Sequence, residues 1–196
     1  MKVVFQGAES KILLNEHNQI VKTRFSKKYK HPTIDQRHRA RRTKGEAKIL
    51  QILNERGISA PIMISYNDDT IVMEFLDFPQ LTSILNENKN EESKNALISL
   101  AQVISQLHDL QIVHNDLTPS NVLFDGQKAI IIDFGLAQRG KTSVEDLAVD
   151  LYVLERSLNA MGKGEFFEYF ISAYQNDLVK KRLKEVEKRG RKRELE

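Results

Sequence analysis

The sequence lacks cysteine altogether, and none of its 196 residues belongs to an uninterrupted apolar run of about 18 residues. The first absence excludes disulfides and thiolate metal sites, which fits a reducing compartment without proving one. The second predicts that there is no transmembrane helix. The apolar part of the N-terminal segment MKVVFQGAES is too short for a signal peptide, so we expect a cytoplasmic protein without a membrane partner.

Acidic residues are scarce in two segments of an otherwise acidic chain. Residues 22–44 hold ten Lys/Arg and one acid, and residues 179–196 hold nine Lys/Arg and four acids. The other 155 residues carry 11 basic and 22 acidic side chains, an asymmetry that the net charge of +3 conceals. Two basic segments predict a polyanionic partner, such as RNA or an acidic protein face. The alternative is a solvated helix face followed by a frayed tail.

The hydrophobic pattern predicts an α+β fold in two lobes, residues 1–75 and 76–196. The first lobe would have five strands and one long helix, capped by Thr33 and ended by Gly57. The second would be mainly helical, with a hairpin turning at Asp125-Gly126 and a basic C-terminal tail. The predicted strands of the first lobe are residues 2–5, 12–14, 20–25, 62–66 and 70–75, and the predicted helices of the second are 81–86, 91–110, 143–160 and 165–175.

Candidate chemistry is concentrated in residues 112–135, IVHNDLTPSNVLFDGQKAIIIDFG. HNDLTPSN fits the H-x-D-x-x-x-x-N loop of phosphoryl-transfer enzymes, and D-F-G follows a short hairpin. This reaction requires metal ions on the phosphates and a carboxylate beside the acceptor hydroxyl. Asp116 is therefore the predicted catalytic residue, while Asn121 and Asp133 are predicted to bind ATP through Mg²⁺. Asp150, on the next helix, is expected to hold the loop backbone.

Residues of the first lobe complete the predicted ATP site. Lys22 lies in the third strand, as does the lysine that contacts the α- and β-phosphates in kinases. Glu46, on the following helix, is predicted to form an ion pair with Lys22, although Glu55 lies on the same helix. Glu74 and Leu76, beside the joint between the lobes, are also predicted to contact the nucleotide.

Several features of ordinary protein kinases are missing. No G-x-G-x-x-G loop occurs, and only the sequence GAES lies between the first two strands. The backbone N–H groups of Gly7 and Ala8 are predicted to contact phosphates there, a plain hairpin turn being the alternative. Thr118 stands where many protein kinases have lysine. Only seven residues separate Gly135 from Ser143, and A-P-E is absent, so we expect no long activation loop and no regulation through its phosphorylation.

Nearly the whole sequence resembles the small atypical serine/threonine kinase of the KEOPS (EKC) complex, which makes threonylcarbamoyladenosine on tRNA. The resemblance is carried by GAE at residues 7–9 and by VKTRFSKKYKHPTID, RRTKGEAKIL, HNDLTPSNVL, DFGLA, EDLAVDLYVLERS and RGRKR. It implies a two-lobed kinase with a reduced C-terminal lobe that acts as a Mg-ATP-dependent kinase or ATPase. Asn115 is a mild departure, since the family usually has glycine there.

The resemblance also implies partners. These are the threonylcarbamoyl-transferase subunit on the C-terminal lobe, a small regulatory subunit on the N-terminal lobe, and tRNA through the complex. The basic tail would lie near the transferase and tRNA, with a disordered solvated tail as the alternative; its residues are Arg189, Arg191, Lys192 and Arg193. Some relatives are fused to the transferase, and the ending RGRKRELE leads us to expect a free subunit or an excised domain.

Two other functions are compatible with the motifs. Antibiotic and choline kinases share the H-x-D-x-x-x-x-N loop, but they normally have a larger C-terminal lobe, and only 61 residues follow Gly135 here. A scaffold that uses its ATP site as a conformational element, and bridges partners on tRNA, would retain the same residues.

Overall fold

Two units make up the chain, and each has its own core. The first comprises Met1–Asp77 with Asp133–Leu136, and the second comprises Phe78–Ile132 with Ala137–Glu196. The computed structural model describes residues 2–7, 9–26, 31–87 and 89–194, without the side chains of residues 191–194. Within those ranges, no helix combines the length and the hydropathy that crossing a bilayer requires.

The first unit is an antiparallel five-stranded sheet with one long helix. Its elements are β1 (Lys2–Gln6), β2 (Ser10–Leu14), β3 (Gln19–Arg24), α1 (Pro32–Glu55), β4 (Met63–Tyr66) and β5 (Thr70–Glu74). The strand order is β1-β2-β3-β5-β4, so β3 is the central strand. Lys22 lies opposite Ile12 of β2 and Ile71 of β5. The prediction of five strands and one long helix is confirmed.

Helix α1 begins at Pro32, and the predicted cap at Thr33 is wrong. The N-cap residue is His31, which makes no side-chain capping hydrogen bond. Proline suits the start of a helix because its φ is already helical and an N–H group there would have no intrahelical partner. The predicted end is confirmed, since Gly57 follows the last turn with a φ of 65°. The apolar residues of α1 that reach the core are Ala47, Ile49, Leu50 and Leu53.

The second unit is mainly helical, as predicted. Its elements are α2 (Leu81–Asn86), α3 (Asn90–Asp109), β6 (Ile112–Val113), β7 (Val122–Phe124), β8 (Ala129–Ile131), β9 (Gln138–Arg139), α4 (Val144–Ala160), α5 (Phe167–Ala173) and α6 (Asp177–Glu194). The β7–β8 hairpin turns where the sequence predicted, with Gly126 at a φ of 96°. Strands β6 and β9 form a short ribbon of their own.

The basic C-terminal segment is a helix, so the alternative of a disordered tail is wrong for the backbone up to residue 194. Helix α6 packs along α4 and buries Val179, Leu183 and Val186. The helices approach closely at Gly190, where an added Cβ would lie 1.9 Å from the hydroxyl of Tyr152. A side chain at position 190 would therefore require the Tyr152 ring to move.

Helix α4 begins with a capping box that makes its stability dependent on pH. The hydroxyl of Ser143 accepts a hydrogen bond from the backbone N–H of Asp146, and the Asp146 carboxylate accepts from the backbone N–H and hydroxyl of Ser143. These hydrogen bonds, the backbone one first, lower the pKa of Asp146. Because the folded-state pKa lies below the unfolded-state value, the stabilisation is present above the unfolded-state pKa and is lost as pH falls through the folded-state pKa.

Asp146→Ala should therefore destabilise the protein at pH 7 and have a smaller effect at pH 3. We expect a loss of about 0.5–1 kcal/mol in the free energy of unfolding at pH 7, towards the low end for caps because the site is exposed. Urea unfolding of both proteins at the two pH values measures the difference. Asp68→Ala, in the exposed β4–β5 turn, is the control. An Asp146→Ala effect of the same size at pH 3 would contradict the capping explanation.

Candidate phosphoryl-transfer site

Lys22 lies at the centre of a buried ion-pair cluster in the first unit. Its Nζ is 2.7 Å from Oε1 of Glu46 and 2.6 Å from Oδ1 of Asp133. Only 4% of Lys22 and 2% of Glu46 are exposed. The ion pair predicted between Lys22 and Glu46 is thus confirmed. Helix α1 packs against β4 and β5, and this packing positions Glu46 beside the central strand.

Arg24 is a further member of this cluster, which the sequence reasoning missed. It lies two residues after Lys22 on β3, so both side chains point to the same face of the sheet. Its guanidinium group contacts Oε2 of Glu46, and the side chain is buried. The Glu46 carboxylate therefore contacts two buried cations, and Asp133 contacts one of them as well. The i, i+2 spacing of two basic residues on a strand was the only available signal.

Removing the charge of Glu46 should destabilise the first unit strongly. In Glu46→Gln, two buried cations would lose the charge of the carboxylate that they share, while Lys22 would keep a second carboxylate, that of Asp133. We expect a loss of about 3 kcal/mol in the free energy of unfolding. Urea denaturation measures it. Glu55→Gln is the matched control, because Glu55 is an exposed glutamate on the same helix and should change stability little. Equal losses in the two variants would contradict the assignment of Glu46 as the carboxylate of the cluster.

The Asp133-Phe134-Gly135 turn presents a carboxylate to Lys22. Asp133 has a φ of 61°, and its Oδ1 also accepts a hydrogen bond of 3.0 Å from the N–H of Gly135. A Cβ at position 135 would lie 2.9 Å from this oxygen and 3.3 Å from the guanidinium group of Arg24, so glycine permits the close approach. The Asp133 side chain is 44% exposed, which leaves it accessible to a ligand.

Asp116 and Asn121 lie on the loop between β6 and β7 in the second unit. Nδ2 of Asn121 donates to the main-chain oxygen of Asp116 at 2.9 Å and to its Oδ2 at 3.0 Å. The amide oxygen of Asn121 is therefore directed away from the carboxylate. His114 is fully buried and supports the loop, with its Nε2 3.2 Å from the oxygen of Ile132 and its Nδ1 3.3 Å from the backbone N of Asp116.

Asp150 anchors this loop, as predicted. Its Oδ2 accepts a hydrogen bond from the backbone N–H of His114, and its Oδ1 accepts from that of Asn115, both at 2.8 Å. Asn115 has a φ of 62°, in the left-handed region where glycine is favoured. The buried carboxylate thus holds a backbone conformation that asparagine adopts less readily than glycine.

The other predicted nucleotide contacts have local partners. The N–H of Gly7 donates to the oxygen of Ser10 at 3.0 Å, which favours the hairpin-turn alternative at this residue, and Ala8 lies outside the described residues. The Glu74 carboxylate accepts from the N–H of Ile62 at 2.8 Å. Leu76 is half-buried. Nucleotide binding by these residues stays a prediction.

The predicted tail contacts are only partly described. Arg189 pairs with Glu145, which also pairs with Arg182, so these arginines link α6 to the first turn of α4. The side chains of Arg191, Lys192 and Arg193 lie outside the described part of the chain.

The donor groups at these positions fit ATP and Mg²⁺. Lys22 supplies a cation for phosphates, Asp133 a carboxylate, and Asn121 an amide oxygen. Mg²⁺ in phosphoryl-transfer sites takes one or two such oxygen donors and completes its coordination with phosphates and water. The described residues contain no group of three or more His, Asp or Glu side chains placed to hold a metal ion.

Comparisons with known proteins agree with this geometry. A family profile for the protein kinase domain matches residues 2–157. The Rio2 kinase from Chaetomium thermophilum superposes with a TM-score of 0.67 at 18% identity, over 94% of this chain and 62% of that chain, and so shares its fold.

Two relatives are considerably closer in sequence. The probable bifunctional tRNA threonylcarbamoyladenosine biosynthesis protein of Methanosphaera stadtmanae is 36% identical over 95% of this chain, which spans 36% of that protein. The EKC/KEOPS complex subunit BUD32 of Enterocytozoon bieneusi is 37% identical over 99% of this chain and 100% of its own length. The chain has a protein kinase fold and belongs to the BUD32 family of KEOPS complex subunits.

Proposed function

We propose that this chain is a Mg-ATP-dependent enzyme of the complex that makes threonylcarbamoyladenosine on tRNA. It either phosphorylates serine or threonine, including its own, or hydrolyses ATP in the cytoplasm. The observation that carries the proposal is the buried Lys22–Glu46 pair with Asp133 on the same lysine. A lysine held by one glutamate and in contact with a half-exposed aspartate is the arrangement that phosphate and Mg²⁺ binding requires.

Lys22 is the residue through which the first unit would bind ATP. Its ammonium group would attract the α- and β-phosphates, which would replace Asp133 as its partner while Glu46 keeps it in place. The released Asp133 carboxylate would then be available to Mg²⁺, and the amide oxygen of Asn121 is the other ligand that we propose for it. When bound, Mg²⁺ neutralises charge on the phosphates.

Asp116 would act on the group that receives the phosphoryl. Its carboxylate accepts the proton of a serine or threonine hydroxyl, or of water, while the new bond to the γ-phosphorus forms and the bond to the leaving oxygen of ADP breaks. Asn121 fixes this carboxylate through its amide N–H bonds. The same residues therefore serve protein phosphorylation and ATP hydrolysis, which differ only in the acceptor.

Labelled-ATP turnover tests this proposal and separates its two outputs. The isolated chain is incubated with γ-labelled Mg-ATP, and then with the transferase subunit and tRNA added. Label on serine or threonine indicates a kinase, and phosphate release stimulated by the transferase indicates an ATPase. The scaffold alternative is supported instead if neither product forms in any mixture while ATP binding is retained. Rapid phosphorylation of an amino alcohol would support the small-molecule phosphotransferase.

We further propose that the first unit binds the small regulatory subunit and the second binds the transferase. Strand β1, at an edge of its sheet, exposes about half of each of three consecutive apolar side chains, and exposed apolar patches of this kind are typical of protein contacts. These side chains are Val3, Val4 and Phe5.

For tRNA, the proposed contacts are the basic residues at the end of α6. Contact through Arg189 requires exchange of its ion pair with Glu145. Binding through Arg189, Arg191, Lys192 and Arg193 should weaken as the salt concentration rises, because phosphate contacts release counterions.

A further inference from the structure

We propose that Tyr174 is a positioning residue for the phosphoryl-transfer loop and acts through His108 and Asp150. This inference rests on the proposed function, since it assigns a role in the same reaction. Tyr174 follows the last residue of α5, 66 positions after His108 of α3. Without these two partners, a buried tyrosine at position 174 would be an ordinary core residue.

The three side chains form a continuous buried chain of hydrogen bonds. The Tyr174 hydroxyl is 2.7 Å from Nδ1 of His108, and Nε2 of His108 is 3.3 Å from Oδ2 of Asp150. None of the three residues is more than 2% exposed. The chain thus links the end of α5 through α3 to the carboxylate that anchors the loop.

The direction of each hydrogen bond follows from the chemistry of the groups. The Asp150 carboxylate can only accept, and it already accepts from two backbone N–H groups of the loop. Nε2 of His108 must therefore carry the proton that it shares with Asp150. In a neutral imidazole Nδ1 is then an acceptor, so the Tyr174 hydroxyl donates to it. Burial, followed by the negative charges of Asp109 and Asp150, raises the pKa of Tyr174, which keeps the phenol protonated as this arrangement requires.

The loop needs this support because of Asn115. Its left-handed backbone, with a φ of 62°, is unfavourable for a residue with a side chain, and its N–H bond to Oδ1 of Asp150 holds it there. Asp116 is the next residue in the chain. If the Tyr174 hydroxyl were lost, His108 could rotate or change tautomer, and Asp150 would be oriented less firmly. Asn115 could then relax and displace the carboxylate of Asp116.

Tyr174→Phe tests the role of the hydroxyl alone. Phenylalanine retains the stacking on Phe170, whose ring centroid lies 6.2 Å away. We expect kcat for ATP turnover to fall about tenfold with an unchanged KM for ATP, because the acceptor side of the reaction is disturbed and phosphate binding is not. The matched control is Tyr169→Phe, since Tyr169 is a partly exposed tyrosine on α5, and this variant should have wild-type kinetics.

Rescue separates positioning from a general effect on stability. Asn115→Gly removes the backbone strain, so Tyr174→Phe should reduce kcat by less than about twofold in that background. A tyrosine that merely stabilises the fold would give the same reduction in both backgrounds. The proposal would be overturned by an equal reduction of kcat in the two backgrounds. It would also be overturned if Tyr174→Phe had the kcat of the wild type.

Amide hydrogen exchange provides a readout that does not depend on catalysis. Tyr174→Phe should accelerate exchange at the N–H groups of His114 and Asn115, which donate to Asp150, while Tyr169→Phe should not. If the wild-type protein turns over no ATP, the proposed function fails, but faster exchange would still support the hydrogen-bonded chain. Unchanged exchange at both amides in Tyr174→Phe would overturn the proposed role of Tyr174.

Discussion

Asp133→Asn should reduce ATP turnover by about 10³-fold while leaving the protein folded. Asparagine keeps an oxygen that can accept from the N–H of Gly135, so the turn should survive the substitution. It loses the negative charge that a hard cation requires, so binding of Mg²⁺ should weaken. The measurement is labelled-ATP turnover as a function of Mg²⁺ concentration, with circular dichroism to verify the fold. Asp133→Ala, which removes all donor atoms, should be at least as inactive.

The Mg²⁺ dependence distinguishes a metal ligand from a structural residue. If Asp133 binds the metal, saturation in Asp133→Asn should require more Mg²⁺ than in the wild type. Asp125→Asn is the matched control, because Asp125 is an exposed aspartate whose carboxylate also accepts backbone N–H bonds in a turn, from Gln127 and Lys128. It should leave turnover unchanged. Asp133→Asn activity within threefold of the wild type, at the same Mg²⁺ requirement, would contradict the assignment.

The sequence predicted those features that chemistry demands at a fixed spacing. In kinases, ATP constrains a lysine, a glutamate and two aspartates, so Lys22, Glu46, Asp116 and Asp133 could be singled out as candidates without a structure. The ion pair of Lys22 with Glu46 and the anchoring of the loop by Asp150 were then found as predicted. The five strands of the first unit and helices α1–α5 followed from hydrophobic periodicity and turn residues.

Features that depend on tertiary packing could not be predicted in the same way. Arg24 resembles an ordinary surface cation until α1 brings Glu46 against the same face of β3. His108 and Tyr174 are too distant in sequence to suggest a hydrogen bond. Both are of types that often fill a core, so neither carried a local signal.

Helix α6 is a different case, because its signal was present in the sequence. Val179, Leu183 and Val186 recur at helical spacing and form the face buried against α4. The high density of Lys and Arg around them led instead to the prediction of a basic tail that contacts a polyanion, with a solvated tail as the alternative. The charged residues cover the outer face of a packed helix, and Arg182 and Arg189 pair with Glu145 of α4.

Asp116→Asn should lower kcat by about 10²–10⁴-fold without raising the KM for ATP. Nδ2 of Asn121 donates to Oδ2 and to the main-chain oxygen of Asp116, and asparagine can present an oxygen to the same donor, so the loop should keep its conformation. The variant loses only the base that accepts the proton. Lys22, Glu46 and Asp133 remain unchanged, so nucleotide and Mg²⁺ binding should be unaffected.

Phosphate release and label incorporation should both be measured for this variant, because proton acceptance is needed whether the acceptor is water or a hydroxyl. Equal losses of both outputs would support one catalytic base for both reactions. The control is Thr118→Ala, on the same loop, because its hydroxyl contacts that of Ser120 and makes no contact with the carboxylate of Asp116 among the described hydrogen bonds. If Asp116→Asn turned over ATP at the wild-type rate while Asp133→Asn did not, the role of Asp133 in binding Mg-ATP would be supported. The assignment of Asp116 as the base would be contradicted, and another residue would have to position the acceptor.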